Sequence, residues 1–251
     1  MRFASLGSGS RGNATLVESG STLLLVDCGF SLRATEARLD RLGVSGQDID
    51  AVLVTHEHTD HCSGVAKLSR KYEIPVYLTR GTWASGRCED PWAVEYFHSD
   101  APFEIGAIRV APIAVPHDAR EPCQFVFESG ASRLGILTDL GSVTAAVVDH
   151  YRHCHALLLE SNHCTQMLRD GSYPYALQQR VGGDWGHLNN HQAAELLAQI
   201  SSQQLLHLVI AHISEKNNCL QRVQDAFHPL LESMDSVTWA DQQDGFDWLQ
   251  L

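Results

Sequence analysis

No C-x-x-C pair occurs among the seven cysteines, at positions 28, 62, 88, 123, 154, 164 and 219. That absence leaves a thiol redox module without its usual motif, and an odd count fits reduced core thiols better than a disulfide framework. Basic residues are scarce, 18 against 30 acidic ones, for a net charge of −12. Affinity for nucleic acid rests on Lys and Arg neutralising phosphates, so a broad non-specific grip on a polyanion is excluded and any such substrate must be held locally. Arg11, Lys67, Arg70, Lys71, Arg80 and Arg87 are candidates for a local patch, although solvated helix-face charge is the plainer role for most of them. No apolar run approaches the roughly 18 residues of a membrane span, and no membrane partner is expected. Residues Met1–Gly7 break into glycine too soon to form the apolar segment of a secretion signal, so a cytoplasmic location is expected. No linker, low-complexity tract or solenoid-period repeat interrupts the 251 residues, which read as one domain, 1–251, with capacity for a sizeable core.

Histidine and short apolar runs are what the chain does have. His56-Glu57-His58-Thr59-Asp60-His61 follows the apolar run Ala51–Thr55. A strand entering that segment puts His56 and His58 on one face, with Asp60 and His61 at the turn beyond. Imidazole and carboxylate together suit Zn, Mn or Fe, and six residues cannot enclose two ions, so further ligands must come from later strand ends. Gly7-Ser8-Gly9-Ser10-Arg11-Gly12 matches G-x-G-x-x-G by letters, but a strand pattern follows where a dinucleotide fingerprint needs a helix. It reads as a turn near the site, and Asn13-Ala14-Thr15 as a glycosylation sequon by letters alone.

Strands are expected at residues 2–6, 14–18, 22–27, 50–55, 74–78, in two runs across 103–115 around Gly106, and at 124–128, 134–138, 156–159, 205–210, 237–239 and 246–249. Ser31 caps a helix carrying Leu32, Leu39 and Leu42, and another helix is expected from Asp60 to about Tyr72. Further helices are expected over 142–151, 191–200 and 220–234, with an irregular stretch between Cys164 and Gly186. Asp27 closes an apolar strand before Cys28-Gly29, and Asp139 repeats that pattern before Leu140-Gly141. A carboxylate so placed is costly unless partnered, the alternative being a turn-forming Asp before glycine.

The segment His56-x-His58-x-Asp60-His61 after an apolar strand resembles the signature of the metallo-β-lactamase-fold hydrolases, and the resemblance extends over nearly the whole chain. It implies an α/β fold, a four-layer αββα sandwich of two similar halves with the metal site at one edge. It implies two divalent metal ions, Zn or Mn with Fe also compatible. His56, His58 and His117 would hold one; Asp60, His61 and His212 would hold the other; Asp139 would bridge them, and Asp27 would orient the ligand loop from behind. A bound hydroxide would be the nucleophile. Glu160-Ser161-Asn162-His163, Gly186-His187-Leu188-Asn189-Asn190 and Ala211–Asn218 look like the YycJ/WalJ branch, exonucleases acting on DNA. By position Glu160 would orient His187 as general acid, so Asp60, Glu160 and His187 are the expected catalytic residues, a plain helix-start histidine being the alternative for His187. Cys164 stands where that branch usually has an acid, and His163 is open between substrate contact, metal neighbour and structural hydrogen-bonder. The implied function is a dinuclear phosphodiesterase, a 5′-to-3′ exonuclease on single-stranded DNA. The alternative is a hydrolase of small molecules such as a cyclic phosphodiester, a lactone or a thioester. His98, His150, His153, His155, His191, His207 and His228 lack a comparable strand-end setting and read as surface or core residues, and Cys62 is set aside as a ligand.

Overall fold

The computed structural model describes residues 1–200, 204–231, 234 and 236–251. Glu232 and Ser233, within the final helix expected from the sequence, lie outside the described residues.

Two seven-stranded sheets repeat one plan. The first contains β1 (Arg2–Gly7), β2 (Ala14–Ser19), β3 (Thr22–Val26), β4 (Ala51–Leu53), β5 (Pro75–Leu78) and β6 (Ala93–Tyr96), in that order across the sheet. Strands β1 to β3 run as an antiparallel meander, and β4 to β6 add parallel to β3. The second contains β7 (Phe103–Ile105), β8 (Ile108–Ala114), β9 (Cys123–Ser129), β10 (Ser132–Leu137), β11 (Ala156–Glu160), β12 (His207–Ala211) and β13 (Val237–Trp239). Here β7 to β10 form the meander and β11 to β13 the parallel part. The last strand, β14 (Phe246–Gln250), returns to pair antiparallel with β1.

The sequence dictates this layering through period-two burial. In β3, Leu24 and Val26 pack between the sheets while Leu23 and Leu25 face the helices outside. The inter-sheet core joins Phe3, Val17 and Leu24 of one sheet to Val110, Phe125, Phe127 and Leu158 of the other. Each such side chain contributes about 1.5–3 kcal/mol by leaving water. Outside the first sheet lie α1 (Leu32–Arg41), with Ser31 as its observed cap, α2 (Thr59–Cys62), α3 (Val65–Tyr72) and α4 (Arg80–Ala84). Outside the second lie α5 (Ala145–Tyr151), α8 (Asn190–Ile200) and α9 (Leu220–Leu231), packed through Val147, Leu196, Leu197, Val223 and Phe227. Three cores between four layers give the αββα sandwich.

Two expectations need correction. The helix expected from Asp60 to Tyr72 is broken at Ser63-Gly64, because the Gly64 amide donates to Cys28 O and the Asp60 carbonyl accepts from Asn13 N. Both groups of that i→i−4 bond are thereby spent on tertiary partners. The stretch between Cys164 and Gly186 is helical in two pieces, α6 (Thr165–Asp170) and α7 (Tyr175–Val181). No residue of α7 is buried, so it lacks the core-facing stripe by which a sequence pattern reveals a helix. The turn at Gly7–Gly12 leads into β2, and no helix follows it.

Candidate metal centre

Strand ends converge at one edge of the sandwich. Three of the six described non-glycine residues with positive φ are Asp27 (61°), Asp139 (55°) and His212 (51°), and each follows the end of a strand there. A left-handed conformation at such residues costs about 1–3 kcal/mol and persists only where surrounding bonds impose it. Asp27 and Asp139 occupy equivalent places, each closing the meander of its own sheet.

Asp27 is buried, and its carboxylate is fully engaged. Oδ1 accepts from Thr55 N at 2.8 Å, while Oδ2 accepts from Thr55 Oγ1 and from His61 Nδ1, each at 2.8 Å. Burial pushes this carboxyl above its ordinary range despite those bonds. Thr55 Oγ1, having given its proton to Asp27, accepts from His56 Nδ1 at 2.9 Å. The two rings are thus fixed through Nδ1, and each turns its Nε2 toward the centre. Gly29 makes this close packing possible, since a Cβ there would fall 1.8 Å from Asp60 O. Asn13, beyond the glycine-rich turn, reaches His61 Nε2 at 3.1 Å and Asp60 Oδ2 at 3.3 Å, and Ser8 Oγ accepts from His212 N at 3.0 Å. These two contacts span the chain and leave no mark in the local sequence.

The remaining groups complete the cluster. His117 Nδ1 donates to Gly186 O at 3.0 Å, leaving Nε2 to face His58 Nδ1 at 3.2 Å. Asp139 Oδ2 lies 3.2 Å from His61 Nε2 and its Oδ1 lies 3.2 Å from His212 Nδ1. Asp60 Oδ2 is 3.4 Å from His61 Nε2 and 3.7 Å from His212 Nε2. Ligand atoms of His56, His58 and His117 lie within 4.8 Å of one another, as do those of Asp60, His61 and His212. His56, His61 and Asp139 form a third such group, and His187 joins two more, with His117 and Asp139 and with Glu160 and His212. All seven ligands expected from the sequence therefore meet. Among the described residues, none of the seven histidines set aside, nor Cys62, joins these groups; Cys62 Sγ donates to Glu57 O at 3.3 Å.

A divalent cation fits this donor set. His56 Nε2, Asp139 Oδ2 and His212 Nδ1 are buried and lack a hydrogen-bond partner among the described residues, a costly condition that a cation at their meeting point would relieve. Charge agrees. Burial works against protonation of His61 and His212, yet Asp139 and Asp60 outweigh it and push both rings well above the ordinary imidazole range. Burial likewise opposes ionisation of Asp139 and Asp60, but the facing imidazoles hold both well below the carboxylate range. Burial depresses His56 strongly and His117 to about 4, so both rings are neutral and ready to ligate near neutral pH.

Two outcomes follow. A cation must displace the protons held by His61 and His212, so acidification weakens metal affinity. The apparent Kd is expected to rise between about pH 8 and about pH 6, followed by competition with a chromogenic chelator; a flat profile would contradict the assignment. Asp27→Asn removes the charge behind His61, and metal affinity is expected to fall about 10- to 100-fold with the fold retained, read by the same competition and by circular dichroism.

Glu160, at the end of β11, is fully buried and accepts four bonds. Oε1 takes Leu140 N at 3.0 Å and Leu188 N at 3.1 Å; Oε2 takes Asp139 N and His187 Nδ1, both at 3.1 Å. Burial opposes its charge, but bonds to His187 and His212 hold it at about 2. His187 is positioned by Gly186, where a Cβ would fall 2.2 Å from the carbonyls of Arg180 and Val181 at the end of α7. His163 forms a backbone bridge to Asn189 and lies outside the ligand groups, and Cys164 N donates to Asn217 O at 2.9 Å.

A cavity of about 370 Å³ opens onto the cluster. Of the cations foreseen from the sequence only Arg87 lines it; Arg11 pairs with Glu215, Lys71 with Glu36 and Arg70 with Asp90. Arg180 also lines it and went unforeseen, as did its partner Asp118, whose Oδ1 lies 3.6 Å from His58 Nε2.

Imidazoles and carboxylates projecting from the strand ends of an αββα sandwich define a metallohydrolase class. The sequence matches the Beta-lactamase superfamily domain over residues 22–213. It is 34% identical to exodeoxyribonuclease YycJ of Bacillus anthracis over 92% of this chain and 89% of that protein. It is 32% identical to exodeoxyribonuclease WalJ of Streptococcus pneumoniae over 86% and 83%. Zinc-bound PqqB from Methylobacterium extorquens shares the fold, with a TM-score of 0.75 at 20% identity and full coverage of both chains. The chain belongs to the metallo-β-lactamase superfamily of hydrolases. None of the described helices is long and apolar enough to cross a membrane.

Proposed function

We propose that this chain is a dinuclear metal-dependent nuclease that removes nucleotides from the 5′ end of single-stranded DNA. The observation that carries the reading is the junction of two features: a seven-ligand cluster centred on Asp139, and the Glu160–His187 pair beside it. Similarity to two exodeoxyribonucleases over most of the chain supports DNA as the substrate. His56, His58 and His117 would hold one ion and Asp60, His61 and His212 the other, with Asp139 shared between them. When bound, Zn or Mn ions in such a pair supply a water acidified toward neutrality and stabilise the attacking and leaving oxygens.

The chain's own residues do the rest. Glu160 stays ionised and holds the Nδ1 proton of His187, which leaves the other ring nitrogen for the cavity that His187 lines. Protonated there, His187 gives its proton to the departing 3′ oxygen of the terminal deoxynucleotide as general acid. Arg87 and Arg180 supply local positive charge beside the cluster, Arg180 exchanging Asp118 for a substrate phosphate. The test is hydrolysis of single strands labelled at the 5′ or the 3′ end by protein reconstituted with Mn or Zn. Release of the 5′ label as mononucleotide from the outset, with the 3′-labelled strand shortening stepwise, is expected. Cleavage of small esters or thioesters alone would discard the DNA role.

A further inference from the structure

The cavity has a second wall for which the hydrolytic chemistry has no use. Besides His58, Asp60 and His212 it is lined by Tyr173, Leu177 and Val181, from the segment that carries α7, and by Asn217. A phosphate bound at the cluster needs charge and hydrogen bonds, and an aromatic and aliphatic surface offers it neither. At about 370 Å³ the space lies near the lower end of small-ligand sites and suits a single bound unit.

Asn217 is the decisive residue. It is 1% exposed, and its backbone is clamped on both sides, N donating to Ser214 Oγ at 3.1 Å and O accepting from Cys164 N at 2.9 Å. Its side-chain amide has a partner for neither nitrogen nor oxygen among the described residues. The neighbouring amides show that the fold can satisfy such groups. Asn218 Nδ2 donates to Ser161 O, Asn162 O and Asn190 Oδ1, and Asn218 Oδ1 accepts from Asn190 Nδ2. A buried, unpartnered donor and acceptor side by side at a cavity wall match a ligand edge that carries both, as the edges of nucleobases do. Tyr173 supplies the complementary surface. Lys216 Nζ lies 5.6 Å from its ring centroid, and the half-buried ring also lines the cavity.

We propose that this wall is a nucleobase subsite, in which the base of the terminal nucleotide stacks on Tyr173 and presents its polar edge to the Asn217 amide. The proposal rests on the nuclease reading and adds to it what holds the strand end. Stacking tolerates every base, so the subsite fixes the terminal nucleotide without demanding a sequence.

The test compares two single strands, identical except that one carries abasic residues at both ends, which makes the result independent of digestion polarity. The metal-loaded wild-type enzyme is expected to release the base-bearing terminal nucleotide with kcat/KM higher by about 5- to 150-fold, the worth of one stacked base. Tyr173→Ala is expected to bring the ratio to within about twofold, and Tyr173→Phe to preserve the preference because the ring does the stacking. Asn217→Ala narrows the ratio as well, with metal content and melting temperature reporting that the fold survives. Equal cleavage of both strands by wild type, or an unchanged preference in Tyr173→Ala, would overturn the subsite and leave the nuclease reading standing. Failure of wild type to cleave either strand would overturn both.

Discussion

Asp139→Ala is expected to bind fewer than two ions per chain and to lose more than about a hundredfold in phosphodiester hydrolysis, beyond the 10- to 100-fold typical of residues that only orient a ligand. The reason is geometric. One carboxylate oxygen lies 3.2 Å from His61 Nε2 and the other 3.2 Å from His212 Nδ1, and the same residue groups with His56 and with His117. Its Oδ2 is buried without a hydrogen-bond partner among the described residues and lies 3.2 Å from His61 Nε2, so the fold keeps a charged atom within the cluster. Asp139→Asn keeps the shape and halves the oxygen donors; it is expected to retain the first ion more tightly than the second. Elemental analysis after dialysis reads both variants, and full retention of two ions by Asp139→Ala would refute the bridging role.

His187→Ala is expected to lower kcat on DNA by about 10²- to 10⁴-fold, the usual worth of a general acid, while both ions stay bound. A leaving-group comparison separates this role from metal ligation. A p-nitrophenyl phosphodiester expels a stable p-nitrophenolate that needs no proton, so its hydrolysis is expected to suffer far less than that of DNA. If His187 were instead a ligand, as its proximity to Asp139 permits at 3.7 Å, metal content would fall and both substrates would slow together. Glu160→Gln is expected to reproduce part of the DNA defect by weakening the hold on the Nδ1 proton. Because Glu160 also accepts three backbone amides from Asp139, Leu140 and Leu188, its melting temperature must accompany the rates.

The residues of the candidate metal centre were legible because the sequence concentrates the chemistry where local rules apply. Six consecutive positions from His56 to His61 hold four ligands, and Asp139, His117 and His212 each stand just beyond a strand that alternation or apolar content reveals. The paired Asp27 and Asp139 were visible as the same acid-before-glycine pattern in the two halves, and the sheets bear out that duplication strand for strand. What escaped was long-range or unpatterned. The glycine-rich turn was legible as one near the site, but the contacts that Asn13 and Ser8 make with the cluster were not. Thr55, which ties His56 to Asp27, reads in sequence as one more strand residue. Helices α6 and α7 are short, bounded by Gly171, Pro174 and Gly182, and α7 buries no residue, so the pair Leu177 and Val181 is too short a run to establish a helical period. That same segment carries Tyr173, Leu177 and Arg180 to the cavity, so part of the cavity's lining lies where the sequence speaks least.

The most direct test of the central claim is a metal titration of activity. Protein stripped with a chelator is returned stepwise to Mn or Zn while hydrolysis of a single-stranded DNA oligonucleotide is followed. Activity is expected to be absent without metal, to rise with added ion and to level off at two equivalents per chain. Hydrolysis by the stripped protein, or a plateau at one equivalent, would contradict the dinuclear account.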